Sequence, residues 1–352
     1  MEYQLQKIVQ PLLTWYAEHA RVLPWRDEPT PYRVWVSEIM LQQTRVEAVK
    51  PYFERFLSEL PSIEALANAP EDQLLKLWEG LGYYSRVRNL HKAARVVMER
   101  FGGALPSSRE ELLQLPGIGD YTAGAIASIA YGKPVAAVDG NVLRVIARIT
   151  ASCDNVSEPA VKKRIAGQLE EIYPAGQAGD FTQALMELGA TVCLPNSPPN
   201  CEQCPVKELC LARLQGITDA LPVKNAKKAR KIEERTVFLL LHDGKAAIVR
   251  RADSGLLAGL WEFPSVSGSL SPQQAKKLLK TWGISAVKTE PLPKAKHIFT
   301  HVEWHMTGYL VTATVGSDGS DFTWANRTEL LEQYTIPAAF KSFLSRFLKP
   351  SS

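Results

Sequence analysis

Hydrophobic residues recur at helical spacing from residue 3 to about residue 212. Leu5, Ile8, Leu12 and Trp15 follow one another at intervals of three or four residues, which is the period of one helix face. Stretches rich in proline and glycine interrupt this pattern repeatedly, so the helices are expected to be short. No segment in this region has the alternation typical of a strand. We therefore predict an all-α domain over residues 1–215.

The pattern changes after this domain. Residues 216–234 are predicted to form an exposed interdomain linker, because a basic run without a carboxylate occupies its second half. That run contains Lys224, Lys227, Lys228, Arg230 and Lys231. We expect any contact with protein partners to involve this linker.

Residues 235–352 mix strand and helix signals. Asp243 and Gly244 form a hairpin signal between two short runs of strand-forming residues. The predicted strands are Thr236–Leu241, Ala246–Arg250 and Met306–Val315, and the predicted helices are Pro272–Trp282 and Pro337–Phe347. This domain is therefore predicted to be α+β.

Composition and charge limit the possible functions only weakly. The 352 residues exceed what one core usually supports, and the net charge of +4 permits a polyanionic partner without requiring one. The first ten residues lack the apolar run of a signal peptide, and no later stretch is long and apolar enough to span a membrane. We expect a cytoplasmic monomer, associated with the nucleoid if the source is bacterial.

Four of the five cysteines lie within eighteen residues and indicate a metal site. Their spacing is C-x7-C-x2-C-x5-C, formed by Cys193, Cys201, Cys204 and Cys210. Zinc sites favour two C-x-x-C pairs and only one is present, so an iron-sulfur cluster of the 4Fe-4S type is the preferred interpretation and zinc the alternative. Cys153 stands apart and is expected to be a buried small hydrophobe.

Leu115–Gly119, with the sequence LPGIG, separates two helical patterns. Gly117 and Gly119 allow backbone N–H groups to face outward at the start of the next helix, a geometry that holds a phosphate. A plain turn between helices is the alternative interpretation of this motif.

Two carboxylates strengthen the case for a functional site. Asp139 precedes a helix that begins near Asn141. The simpler interpretation is that Asp139 or Asn141 is only the N-cap of this helix. Glu38 lies in a predicted helix over Pro31–Val49, on the same face as apolar residues, and so points to the interior. A carboxyl group placed in this way has a raised pKa and suits a general acid, with a core salt bridge as the alternative.

Five ordered motifs together resemble the helix-hairpin-helix DNA glycosylases, and most closely the adenine DNA glycosylases, the MutY family. The resemblance covers nearly the whole chain, including the second domain. The motifs are Glu38–Thr44 (EIMLQQT), Gly80–Tyr84 (GLGYY), the LPGIG hairpin, Asp139–Asn141 (DGN) and the cysteine loop. In that family the cysteine loop has a first gap of six residues, whereas seven separate Cys193 from Cys201 here. We expect the extra residue to bulge outward without moving the thiolates.

The resemblance implies a role for individual residues, because an enzyme that acts on a base must flip it out of the duplex. It implies that Glu38 is the general acid that protonates adenine and that Asp139 stabilises the cationic sugar. The remaining implied site residues line the adenine pocket or enter the base stack: Tyr121, Asn141, Trp25, Arg26, Leu41, Gln183, Gln43 and Tyr83.

Tyr121 also bears on the type of reaction. In related glycosylases that cut the strand, a lysine at this position attacks the sugar and forms a Schiff base. A tyrosine predicts removal of the base without an efficient strand cut. The alternatives are a bifunctional lyase of the endonuclease III type and a catalytically silent DNA-binding or scaffold protein.

The C-terminal domain resembles a Nudix fold, which raises the alternative of a nucleotide pyrophosphohydrolase. That chemistry needs a helix with several metal-binding glutamates, and residues 276–284 carry lysines and no carboxylate. The resemblance instead implies that Phe299, Thr300 and His301 inspect 8-oxoguanine, with threonine replacing the family's usual serine. The expected partner is double-stranded DNA with an A:8-oxoguanine or A:G mispair.

Overall fold

The computed structural model describes residues 5–226, 229–315 and 322–349. Lys227 and Lys228 of the predicted linker lie outside the described residues. The chain divides into two compact units. The first unit comprises Met1–Ala69 and Arg86–Ala226, and the second comprises Pro70–Ser85 and Lys227–Ser352. The segment from Pro70 to Ser85 therefore packs with the C-terminal part of the chain, although it lies far from that part in sequence.

The first unit is helical, as predicted, and none of its described residues lies in a strand. With α6, which belongs to the second unit, the helices up to residue 214 are α1 (Val9–His19), α2 (Pro24–Asp27), α3 (Pro31–Leu41), α4 (Val46–Glu59), α5 (Ile63–Asn68), α6 (Glu71–Leu77), α7 (Ser85–Phe101), α8 (Arg109–Leu112), α9 (Asp120–Ala125), α10 (Gly140–Ile149), α11 (Pro159–Glu170), α12 (Ala178–Thr191) and α13 (Leu211–Leu214). A π-helical turn, Ile126–Ala130, continues α9. Among the described residues, no helix is long and apolar enough to cross a membrane.

Local sequence explains where several helices begin. The hydroxyl groups of Thr30, Ser62 and Ser108 accept hydrogen bonds from the first backbone N–H groups of α3, α5 and α8. These caps satisfy donors that have no partner inside the helix. Pro31 follows the first cap, at a position where its missing N–H group costs nothing.

The prediction of one helix over Pro31–Val49 was wrong. Helix α3 ends at Leu41, and α4 begins at Val46. Gln43 adopts the left-handed conformation with φ 58°, which an uninterrupted helix does not allow. The break turns the chain between the two helices and leaves Gln43 exposed.

Helix α10 lies at the centre of the first unit. Every residue from Val142 to Ile149 is buried, and the helix packs against α12 through Phe181, Leu185 and Leu188. Burial of each large aliphatic or aromatic side chain contributes roughly 1.5–3 kcal/mol. This packing holds the start of α10, and with it Asp139, in a fixed position.

The second unit contains a mixed β-sheet. Its strands are β1 (Lys231–His242), β2 (Lys245–Arg250), β3 (Trp261–Glu262), β4 (Ser265–Ser267), β5 (Ile284–Ile298), β6 (Val302–Val315) and β7 (Thr323–Ala325). The strand order is β3-β2-β1-β6-β5, with β4 paired to β1 and β7 paired to β2. Strands β1 and β6 are parallel, whereas β5 and β6 form a long antiparallel hairpin.

Helices cover both faces of this sheet. They are α14 (Pro272–Thr281) on one face, and α15 (Arg327–Glu332) and α16 (Lys341–Leu348) on the other. Alternate residues of β1 supply the two cores, since Phe238 and Leu240 pack on the α14 side while Val237 and Leu239 pack on the opposite side. The predicted α+β domain is therefore confirmed.

Candidate active site

Glu38 lies near the end of α3 and is 5% exposed. The hydroxyl of Tyr121, on α9, donates a hydrogen bond to Oε2 of Glu38. Burial raises the pKa of Glu38 to about 7; the Tyr121 bond opposes this shift, and the negative charge of Asp139 adds to it. Glu38 can therefore hold a proton near neutral pH, as a general acid requires.

Asp139 caps α10 and has a different environment. Its Oδ1 accepts a hydrogen bond of 2.8 Å from the backbone N–H of Val142, and its Oδ2 accepts one of 2.7 Å from the side-chain amide of Asn141. Burial raises the pKa of Asp139, but these bonds and the charge of Arg144 oppose the shift. Because several donors favour the ionised form of Asp139, Glu38 is the carboxyl group of the two that more readily holds a proton.

Arg144 holds Asn141 in place. Its guanidinium donates hydrogen bonds of 2.9 Å to the side-chain oxygen of Asn141, 2.7 Å to Gly189 O and 2.8 Å to Cys193 O. A Cβ atom at Gly189 would lie 2.5 Å from the Cβ of Asn141, so the close approach requires glycine. The sequence prediction missed Arg144, although a cation three residues after Asn141 in a mostly apolar helix was a usable signal.

A buried ion-pair network lies beside Glu38. Glu187 on α12 is 1% exposed and binds Arg21 at 2.6 Å and Arg26 at 2.8 Å. Burial raises the pKa of Glu187, but the hydrogen bonds from the two arginines outweigh it and lower the pKa. The charge of Arg26 in turn lowers the pKa of Glu38. Arg21 and Glu187 were not identified from the sequence, although an acid inside the apolar run of α12 was a signal.

The remaining predicted pocket residues occupy the same part of the first unit. Trp25 is buried with its ring edge-on to Phe53 at 5.5 Å. Leu41 and Gln183 are half-buried, at the end of α3 and on α12. The Tyr121 hydroxyl also lies 3.9 Å from the sulfur of Met186, one helical turn from Gln183. Met186 of α12 therefore lies next to the Tyr121 hydroxyl that donates to Glu38.

Gln43 and Tyr83 share an uncommon backbone conformation. Both are exposed non-glycine residues with positive φ, 58° for Gln43 and 48° for Tyr83. Such strain costs about 1–3 kcal/mol and is concentrated at functional sites. In the first unit, Arg86 stabilises the turn of Gln43 by donating to the carbonyls of Ile39, Met40 and Gln42.

The LPGIG hairpin has the predicted turn at its centre. Gly117 has φ 79°, and a Cβ atom there would lie 2.7 Å from the Cβ of Asn89. Gly119 is the N-cap of α9, and no side chain caps that helix. Helix α9 therefore presents its first N–H groups at the hairpin.

The four clustered cysteines line one cavity with Arg148, Lys207 and Arg213. Within the described ranges, no three His, Cys, Asp or Glu side chains lie close enough to share a single metal ion. A zinc ion would draw its four sulfurs to within about 4 Å of one another, since each Zn–S bond is about 2.3 Å. A cluster that binds each thiolate through a different iron accepts wider spacing. All four thiols line this one cavity, and four cysteine thiolates are the donor set that a 4Fe-4S cluster takes.

The long gap between Cys193 and Cys201 forms an outward loop. Residues 195–198 are exposed, and a 2.9 Å hydrogen bond from Asn200 N to Val192 O closes the loop. The guanidinium of Arg148 donates to Sγ of Cys193 at 3.3 Å. Burial raises the pKa of Cys204 to about 12, so this thiol is not a free nucleophile.

The interpretation of Cys153 as a buried hydrophobe was wrong. Its side chain is exposed in the loop after α10. Ser152 and Asp154, on either side, form a polar turn in which the Ser152 hydroxyl donates to the Asp154 carboxylate at 2.9 Å. A residue between two such neighbours faces solvent.

Phe299, Thr300 and His301 form the turn of the β5–β6 hairpin. Phe299 packs edge-on against Trp304 with ring centroids 4.9 Å apart, whereas Thr300 and His301 are exposed. The hydroxyl groups of Thr300 and Tyr83, which both belong to the second unit, lie 2.7 Å apart in a hydrogen bond. Helix α14, which contains most of the stretch predicted to correspond to a metal-binding Nudix helix, carries no carboxylate.

Two family models match the chain. Residues 36–171 match the HhH-GPD superfamily of base excision DNA repair proteins, and residues 236–346 match the NUDIX domain. The first match covers most of the helical region up to residue 171, and the second covers most of the sheet region. They agree with the predicted fold class.

Several curated proteins named adenine DNA glycosylase are similar to most of the chain. The Mus musculus protein is 38% identical over 83% of this chain and 68% of its own length. The protein of Buchnera aphidicola subsp. Acyrthosiphon pisum (strain APS) is 32% identical over 86% of this chain and 85% of its own length. The Homo sapiens protein is 38% identical, and the match spans 64% of that longer protein.

Solved structures share the fold. A thermostable thymine-DNA glycosylase superposes with a TM-score of 0.55 and 32% identity, over 60% of this chain and 97% of its own. An endonuclease III in a non-covalent complex with DNA gives a TM-score of 0.51 and 22% identity over the same shares. The second similarity concerns the fold alone.

Proposed function

The chain belongs to the adenine DNA glycosylase family, and on that premise we propose that it excises adenine paired with 8-oxoguanine or guanine in double-stranded DNA. The reaction hydrolyses the N-glycosidic bond and leaves the strand uncut. One observation carries the proposal most directly, the pairing of protonatable Glu38 with Tyr121 beside the hydrogen-bonded carboxylate of Asp139.

Glu38 acts first in this mechanism. Its pKa of about 7 leaves a large protonated fraction at neutral pH, and the proton passes to a ring nitrogen of the flipped adenine. Protonation makes adenine a better leaving group, so the bond between the base and C1′ of the sugar breaks. The Tyr121 hydroxyl orients the Glu38 carboxyl toward the pocket.

Asp139 stabilises the sugar as the base leaves. The C1′ carbon develops positive charge, which a fixed, ionised carboxylate offsets in a site shielded from water. Val142, Asn141 and Arg144 hold this carboxylate in place. Water then adds to C1′ and returns a proton to a carboxylate, and the products are free adenine and an abasic site.

Tyr121 favours simple hydrolysis over strand cleavage. A lyase needs an amine at this point to form a Schiff base with the sugar. The tyrosine hydroxyl is buried and donates to Glu38, and burial together with the Glu38 charge raises the pKa of Tyr121 well above its ordinary value. It therefore stays a neutral hydrogen-bond donor.

Recognition of the opposite base is assigned to exposed residues. Gln43 and Tyr83 enter the stack where adenine leaves, and their strained backbones hold the side chains outward. Thr300 reads the altered edge of 8-oxoguanine through its hydroxyl, with Phe299 and His301 shaping the loop. Gly117 and Gly119 bring backbone N–H groups to a DNA phosphate.

We propose that Cys193, Cys201, Cys204 and Cys210 hold a 4Fe-4S cluster. When bound, the cluster would cross-link the loop from Cys193 to Cys210. It would take no part in base excision. Arg148 and Arg213 at the same cavity offset the negative charge of four thiolates. The loop is thereby shaped to face the DNA.

A gel assay on an end-labelled duplex with one A:8-oxoguanine pair tests the proposal. Cleavage that appears only after alkali supports a glycosylase that leaves an abasic site. Cleavage without alkali would instead show a lyase of the endonuclease III type. Absence of product under single-turnover conditions would show a silent DNA-binding protein.

A further inference from the structure

Residues 70–85 contain both α6 and Tyr83. This segment belongs to the same compact unit as the Nudix-like sheet. We propose that Lys76 and Glu79 form a latch that positions Tyr83 against Thr300. The side chain that enters the base stack and the hydroxyl that reads the lesion would then act as one element. This inference rests on the proposed recognition of 8-oxoguanine.

Lys76 attaches the segment to the end of α15. Its Nζ donates hydrogen bonds of 3.4 Å to Leu330 O and 3.1 Å to Tyr334 O. Carbonyl groups at a helix C-terminus lack partners within the helix and carry partial negative charge. A lysine ammonium is therefore a suitable cap for this end.

Glu79 completes the latch with both carboxylate oxygens. Its Oε2 lies 2.7 Å from Nζ of Lys76, and its Oε1 accepts a 2.8 Å hydrogen bond from Ile336 N. The Lys76 and Glu79 side chains are only 22% and 27% exposed. Partial shielding from water makes these charge-assisted bonds stronger than those of an ion pair on an open surface.

A short turn connects the latch to Tyr83. Trp78 is fully buried, and its indole N–H donates a 3.1 Å hydrogen bond to Gly82 O. Gly80 and Gly82 have φ values of 102° and 69°, which permit the tight path. Only three residues separate Glu79 from Tyr83, so displacement of the latch moves the ring that contacts Thr300.

The test compares single-turnover excision of adenine opposite 8-oxoguanine and opposite guanine. In Lys76→Met and Glu79→Gln, we expect the ratio of the two rates to fall about tenfold. The A:G rate should fall less than the A:8-oxoguanine rate, because only the second substrate uses the contact of Tyr83 with Thr300, and the remaining A:G activity shows in the same sample that the catalytic unit is folded. Lys76→Arg should retain most of the ratio, because a guanidinium can donate to the same carbonyls.

Lys277→Met is the matched control, since it removes the same charge from an exposed position on α14. It should leave the ratio unchanged. A second readout is the fluorescence of 2-aminopurine placed beside 8-oxoguanine, which reports whether Tyr83 enters the stack. The latch variants should lose that change in fluorescence.

A double-mutant cycle with Tyr83→Phe tests whether the latch acts through the Tyr83 hydroxyl. If it does, Glu79→Gln has little further effect on the ratio once the hydroxyl is absent. Additive effects would overturn the latch. If both latch variants keep the rate ratio of the parent protein, the latch alone is overturned. If the parent protein itself excises adenine equally fast opposite 8-oxoguanine and guanine, the lesion-reading function and the latch are both overturned.

Discussion

At the scale of single residues, the two carboxylates differ in the donors around them. Glu38 accepts a hydrogen bond from a neutral hydroxyl, while Asp139 accepts bonds from a backbone N–H and an amide, with Arg144 nearby. A carboxyl group with few donors in a buried position keeps its proton to a higher pH. This contrast supports the proposed acid role of Glu38 and the proposed electrostatic role of Asp139.

Glu38→Gln should lower the single-turnover excision rate by about a hundredfold or more, because an amide cannot donate the proton. Duplex binding should persist, since the substitution keeps the size of the side chain. Gel-shift and excision measurements on one preparation separate the two effects. A near-parental excision rate would contradict the assignment.

The same variant should also change the pH dependence of stability. A pKa raised from 4.5 to about 7 means that the unfolded chain releases this proton first, so the parent loses stability as pH rises through that range. The loss is about 3 kcal/mol above pH 7. Glu38→Gln has no such proton to release. The stability of the variant relative to the parent, measured by thermal unfolding, should therefore increase between about pH 5 and about pH 8. A difference in stability between variant and parent that does not change with pH would refute the raised pKa of Glu38.

Thr300→Ala should reduce the preference for 8-oxoguanine over guanine about two- to tenfold, because the hydrogen bond to Tyr83 is lost, together with the hydroxyl proposed to contact the lesion. Thr300→Ser is the control, since it keeps the hydroxyl and removes only the methyl group. We expect the serine variant to match the parent. Equal discrimination by the alanine variant and the parent would argue against Thr300.

At the scale of elements, turns decide where functional side chains point. The Asp243–Gly244 hairpin was predicted from its sequence, and both residues have positive φ, 46° and 73°. Strand β5 was not predicted, because Pro291 and Pro293 interrupt its pattern. Prolines are tolerated there because, among the residues that the structure describes, β5 is an edge strand that pairs only with β6.

Gly117→Ala should destabilise the first unit by about 1–3 kcal/mol. The alanine would adopt a left-handed conformation, and its Cβ would lie 2.7 Å from that of Asn89. Gly119→Ala is the control, because no atom lies within 4 Å of a Cβ built there. Thermal unfolding of the two variants provides the measurement. Equal losses would show that the turn geometry is not the cause.

At the scale of the whole molecule, segments distant in sequence assemble each site. The segment from Pro70 to Ser85 joins the second unit, and the cysteine loop is tied to α10 through Arg144 and Arg148. A cluster at the cysteine loop would therefore support the helix that Asp139 caps. Loss of the cluster should affect DNA binding before it affects the chemistry of Glu38.

Cys204→Ser should abolish the brown colour and the visible absorption of the purified protein and lower its iron content. Binding of the proposed cluster would contribute to the folding of the loop, so the variant should also unfold at a lower temperature. Cys153→Ser is the matched control, because Cys153 is exposed and outside the cysteine cavity. Unchanged iron content in Cys204→Ser would exclude this cysteine as a ligand.

The sequence by itself determined the features that depend on neighbouring residues. Helical periodicity, helix caps, the LPGIG turn, the hairpin of β1 and β2 and the spacing of the cysteines are all local patterns. The recognisable motifs also placed Glu38, Asp139, Tyr121 and Thr300 among the candidate residues. They did not show which of these side chains touch one another.

Only the tertiary structure decided the long-range pairs. Tyr121 meets Glu38 across 83 positions of the chain, Arg26 meets Glu187 across 161 and Tyr83 meets Thr300 across 217. Such contacts depend on how helices and sheet pack, and burial by that packing raises the pKa of Glu38. The break of the helix at Gln43 has the same origin, because Arg86, more than forty positions away, binds the carbonyls of that turn.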